Sequence, residues 1–179
     1  MKRQLRPVVG KMAAAAGSGL VLFALGASAA AFSQANNNAM QLSWDGVHYS
    51  SSTSQAFFDT PVIVPGDSAR RTLLVRNAGP SDAMFRASIT NVDLTHDRSD
   101  DFYDQLLIDW NTGQTTVGQL AANGETTIVD VQLAQGEEFE ITIGYHLPQH
   151  TVEGNGRGGR LAGFDVQLDL TGMSTPAGD

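Results

Sequence analysis

The 179-residue chain contains no cysteine, and no lysine beyond Lys11. The first absence removes disulfides, thiolate zinc sites and thiol nucleophiles together. Stability must come from ordinary core burial. The second absence leaves the chain after residue 31 with seven arginines against all 19 acidic residues, a net charge of −12. A surface of that sign repels phosphate backbones and anionic lipid, which excludes a general nucleic-acid binder and argues against docking on anionic lipid. Charge of either sign is sparse, at 17% of residues against 41% hydrophobic, so the composition is not that of a disordered polyelectrolyte. The length after the first thirty residues suits one domain.

What is present is unevenly placed. Residues Met1 to Lys11 are basic, and Met12 to Ala31 is an uncharged run with Leu20, Val21, Leu22, Phe23 and Leu25 at its centre. Small residues follow at Ala27, Ser28, Ala29, Ala30 and Ala31. A basic region, an apolar region and small residues in that order describe a secretory signal peptide over residues 1–31, to be left out of fold reasoning. The expected mature N-terminus lies between Ala30 and Phe32. An uncleaved membrane anchor is the alternative, since about twenty apolar residues span a bilayer. Gly17, Ser18, Gly19, Gly26 and Ser28 make the run weakly apolar and favour cleavage. Residues 32–39 (FSQANNNA) form an asparagine-rich leader, and 40–179 a single domain expected to be soluble outside the cell.

That domain reads as strands. Phe139, Ile141, Ile143, Tyr145 and Leu147 alternate with Glu140, Thr142, Gly144 and His146; Phe164, Val166, Leu168 and Leu170 alternate with Asp165, Gln167, Asp169 and Thr171. Period two with one dry face is the signature of a half-buried strand. Thr127, Val129, Val131 and Leu133 form a third run, with Ile128 expected on the wet side. Phe85, Ala87 and Ile89 form a fourth. Arg71–Arg76 and Leu106–Trp110 are shorter and partly two-sided. Asp45-Gly46 between apolar flanks predicts a two-residue hairpin. Turn residues separate the runs at Pro65-Gly66-Asp67, Asn77-Ala78-Gly79-Pro80, Asn123-Gly124 and Gln135-Gly136. The expectation is an all-β fold, an antiparallel immunoglobulin-like or jelly-roll β-sandwich of seven to nine strands. One short helix is expected over Ser99–Leu106, capped by Ser99 with Asp100 and Asp101 in its first turn.

Few residues carry chemistry. His48, His96, His146 and His150 are dispersed. His146 and His150 cannot share a helix face, because Pro148 lies between them at a strand end. No Gly-x-Ser-x-Gly elbow occurs. The glycine-rich stretch Gly154–Gly163 precedes a strand, so it lacks the helix dipole that helps such loops hold phosphate, and reads as a crossover loop. Asp93, Asp97, Asp100, Asp101 and Asp104 cluster around His96 and Arg98 and could offer oxygens to calcium. Their spacing matches no EF-hand, and solvated carboxylates and helix capping account for them. No catalytic, cofactor or metal residue is assigned.

Three places resemble a known family. Gly26-Ala27-Ser28-Ala29-Ala30-Ala31-Phe32-Ser33 resembles the end of signals cut by the SipW-type peptidase, with Gln34 where an aspartate is usual. Val64-Pro65-Gly66-Asp67-Ser68, a strand, then Asn77-Ala78-Gly79-Pro80-Ser81-Asp82-Ala83 resembles a segment of the TasA/camelysin-like exported proteins. Leu147-Pro148, Gly154-Asn155 and Phe164-Asp165-Val166 resemble that family's closing pattern. The resemblance implies a secreted, non-enzymatic β-sandwich subunit of an extracellular matrix or surface fibre. Its partner would be itself, by strand donation from Phe32–Ala39, or other matrix proteins. Some family members are described as metalloproteases, but no zinc motif here matches that activity. The alternative function is a monomeric extracellular binding module for carbohydrate or a surface protein. Trp44, Tyr49, Phe57, Phe58, Tyr103 and Trp110 are its candidate platform.

Overall fold

The structure, a computed structural model, describes residues 21–25, 39–58, 62–94, 102–151 and 160–173. Alternating apolar residues become strands because one face of each can be buried against a second sheet. The elements in order are β1 (Val21–Leu25), β2 (Met40–Ser43), β3 (Val62–Ile63), β4 (Ser68–Asn77), β5 (Ala83–Leu94), β6 (Leu107–Trp110), β7 (Gly113–Thr116), α1 (Val117–Asn123), β8 (Thr126–Leu133), β9 (Glu138–His146) and β10 (Arg160–Gly172). They form two five-stranded sheets, β3-β1-β10-β5-β8 (sheet A) and β2-β4-β9-β6-β7 (sheet B). Eight of these strands have four residues or more and start at or after Met40. The fold is the expected all-β sandwich. Pairing is antiparallel throughout, except for β1, which runs parallel to β10.

The core lies between the sheets. Phe85, Ala87, Ile89, Phe164, Val166 and Leu168 come from sheet A, and Leu73, Val75, Ile108, Ile141 and Ile143 from sheet B; all are buried. Each large aliphatic or aromatic side chain so placed contributes roughly 1.5–3 kcal/mol. Among the described residues, only β6 and β7 are consecutive strands paired within one sheet. The other links between consecutive strands cross from sheet to sheet, so most pairings join residues far apart in sequence.

Three local expectations are corrected. Asp45-Gly46 makes no two-residue hairpin. Gly46 alone has positive φ (72°), and the Asp45 carboxylate instead accepts from the amides of Val47 and His48 at 2.9 and 2.8 Å. The turn therefore closes later, at a single bridge between Leu42 and Ser50. Ile128 is buried, not wet, because the β5–β8 register shifts between Ala87 and Ser88, opposite Val129 and Thr127. The extra residue turns inward beside Val129. In the region expected to be helical, Phe102–Gln105 form one turn closed by Leu106 N–H to Phe102 C=O; Ser99, Asp100 and Asp101 lie outside the described residues. The helix that does form is α1. Thr116 Oγ1 accepts from the Gln119 amide at 3.2 Å to cap its start, and Gly124 (φ 77°) closes its end through its amide to Leu120 C=O.

Candidate functional site: the strand slot of sheet A

The turn motifs singled out in the sequence meet partners far along the chain. Asn77, fully buried at the end of β4, donates from Nδ2 to the carbonyls of Ser81 (2.9 Å), Leu133 (3.1 Å) and Ala134 (3.2 Å). Its Oδ1 accepts from the Gly79 amide at 3.0 Å. Its backbone exchanges bonds with Glu137 C=O and the Gly136 amide. Asp82 accepts from the Gln135 amide and from Gln132 Nε2 at 3.2 and 3.3 Å, and its carbonyl takes the Met173 amide at 2.9 Å. Asn77–Asp82 thus latches the β8–β9 turn and the end of β10 together. Pro65-Gly66-Asp67 does the same elsewhere. The Gly66 amide donates to Leu147 C=O (2.8 Å) and the Leu147 amide to Asp67 C=O (2.9 Å), while the Asp67 carboxylate accepts from the Val64 amide (2.9 Å). These residues serve the fold, and none is left free to act on a ligand.

The start of β10 is held differently. Arg160–Phe164 pair residue by residue with Val21–Leu25 of β1, and β1 pairs on its other side with Val62 and Ile63 of β3. Five residues inside the segment read as a signal peptide therefore form a strand of sheet A, paired with β10 along its length and with β3 at Val21 and Leu22, although the sequence reading left residues 1–31 out of the fold. Among the described residues, β3 has no strand partner other than β1. Buried Ile63, Ala162 and Phe164 belong to the strands that border it. Export reading and strand reading rest on the same residues, because Val, Leu and Phe serve both an apolar signal and a strand. Within Phe32–Ala39, only Ala39 is described; its carbonyl accepts from the Ala78 amide at 2.7 Å, and residues 32–38 lie outside the described residues.

The aromatic candidates are occupied. Phe57, Phe58 and Tyr103 are buried. The Arg71 guanidinium lies 4.4 Å above the Trp44 ring and donates to the carbonyls of Ala56 and Phe57, so it pins the segment before β3 against the sandwich. The Trp44 indole N–H goes to Thr53 Oγ1 at 2.9 Å. The Arg76 guanidinium lies 3.7 Å above the Tyr49 ring, and both residues bond the Glu138 carboxylate. The Arg76 bond, then that of Tyr49, holds the Glu138 carboxyl below the usual carboxylate range. Gly113 sits against the Trp110 ring, where a Cβ would come to 3.0 Å.

Of the acidic cluster, Asp93 and Asp104 are exposed, while Asp97, Asp100 and Asp101, with His96 and Arg98, lie outside the described residues. Among the described residues, no group of three His, Asp or Glu side chains is placed to hold a metal ion. His48, His146 and His150 are exposed on three separate segments or strand ends, and His48 pairs with Asp45 at 2.7 Å. Most of the glycine-rich stretch, residues 154–159, is outside the description, and its remainder begins β10. No protein-family model matches the chain, and no curated protein compared with it matches either.

Proposed function

We propose that this protein is a secreted, non-enzymatic structural subunit of an extracellular matrix or cell-surface fibre, similar in role to the TasA/camelysin-like proteins its turn motifs resemble. The observation that carries the reading is the place of β1. An interior strand of sheet A is drawn from the segment that the sequence marks for removal. Loss of that segment leaves two facing rows of unpaired backbone groups, on β10 and on β3, and an extended segment from another molecule can satisfy both. Phe32–Ala39 of a neighbouring copy is the proposed donor. A contact of that head-to-tail kind does not close on itself, so it produces filaments.

The monomeric binding module draws less support. A sugar platform needs open aromatic faces, whereas Trp44 and Tyr49 each carry an arginine on the ring and Phe57, Phe58 and Tyr103 are buried. The test compares a chain starting at Phe32 with one starting at Met40, by size-exclusion and electron microscopy. Filaments from the longer chain alone support strand donation. Equal assembly by both, or by neither at any concentration and pH, overturns it.

A further inference from the structure

We infer that residues 21–25 are an internal plug, so that removal of the leader and opening of the assembly slot are one event. The inference rests on the assembly reading above and concerns its regulation.

The geometry argues it in three steps. First, β1 lies between two strands in sheet A: all five residues pair with Arg160–Phe164 on one side, and Val21 and Leu22 pair with Ile63 and Val62 on the other. While it is there, no second segment can pair in that place. Second, β1 is VLFAL, five residues without charge or strong polarity, a composition suited to a strand. Third, β1 runs parallel to β10, a relation that tight hairpins cannot produce. Fourteen residues, Gly26 to Ala39, separate it in sequence from β2 of the other sheet, and the expected cleavage at Ala30–Phe32 lies within them. Cutting there severs β1 from the body, and its strand pairing then joins it to β10 at five residues and to β3 at two, without a covalent link. Such a strand is free to leave or be replaced.

Among the residues whose burial is described, the buried core runs from Met40 to Leu168, all of it after the cut. A cleaved chain therefore keeps its sandwich and gains one vacancy of defined length, direction and polarity. The intact chain is complete in itself and assembly-silent; the cleaved chain is open.

The test uses a fluorescent peptide spanning residues 20–26, with two arginines added at each end for solubility. It is titrated into the intact chain, the chain starting at Phe32, and the intact chain carrying Phe23→Pro. Proline removes a backbone donor and is rejected by interior strands, so this variant cannot seat β1. The expected result is at least tenfold tighter binding to the Phe32 chain than to the intact chain, with Phe23→Pro moving the intact chain toward the cleaved value. Equal binding to the intact and Phe32 chains, or binding to neither, overturns the plug. Selective peptide binding by a Phe32 chain that never forms filaments upholds the plug and overturns the fibre reading instead.

Discussion

Strand β10 is held in two different ways along its length. At its C-terminal end Gly172 pairs with Ala83, and the Met173 amide bonds Asp82, inside a corner knotted by the Asn77 side chain. At its N-terminal end, Arg160–Phe164 pair with β1, a segment expected to be removed, while Ala162 and Gly163 also pair with β5 on the other flank. The first end is held by backbone bonds to a corner whose own turns are fixed by the buried Asn77 side chain. The second pairs through its backbone with β1, and backbone pairing is indifferent to which chain supplies it. One strand thus joins a permanent corner to an exchangeable one.

The comparison is broken most severely at the permanent corner. Asn77→Ala strips a partner from the buried Leu133 carbonyl and Gly79 amide and from the part-buried carbonyls of Ser81 and Ala134, and each buried group left unpaired costs about 1–3 kcal/mol. The expected loss is roughly 3–5 kcal/mol, read as a lower urea midpoint with unchanged slope. Next comes Gly144→Ala in β9. Arg70 Nε meets Asp109 Oδ1 at 2.9 Å across this glycine, and a Cβ there would lie 2.6 Å from Arg70 Cγ. The pair must part or the strand must shift, for an expected loss of about 1–3 kcal/mol in the same unfolding measurement. Thr116→Ala removes the cap of α1 and is expected to cost about 1 kcal/mol.

The smallest effect belongs to Glu138. Its carboxyl titrates below the usual range because Arg76 and Tyr49 bond the charged form, so its stabilisation is present above the ordinary carboxylate pKa. It is lost as pH falls through the lowered value. Glu138→Gln should therefore lower the melting temperature slightly at neutral pH, and the difference from the parent should shrink on acidification. A difference that grows toward acid would show the sign to be wrong.

Sequence patterning showed the sandwich because burial is local in its signature. The alternation in Phe139–Leu147 and Phe164–Leu170 marks which side chains face the core, whatever strand lies opposite. Asn77-Ala78-Gly79-Pro80 and Pro65-Gly66-Asp67 were legible as turns for the same local reason. Their work as latches was not, since the partners are Leu133, Ala134 and Leu147, tens of residues away. Ile128 misled because a one-residue bulge reverses the face of a residue without changing the pattern around it. Helix α1 left one overlooked mark, Thr116 three residues before Gln119, beside a glycine stop at Gly124. The slot was hidden for a different reason. Val21–Leu25 satisfies the requirements of an export signal so well that its capacity to form a strand goes unasked.

The account's central claim is that the N-terminal half of β10 is exchangeable while its C-terminal end is fixed. Hydrogen exchange on the soluble chain starting at Phe32, set beside the intact chain, tests this directly. The account predicts that amides of Arg160–Phe164 and Val62–Ile63 lose protection when the leader is absent, while those of Asn77, Gly79, Gly136 and Met173 exchange at unchanged rates. Equal protection of Arg160–Phe164 in the two chains would contradict it.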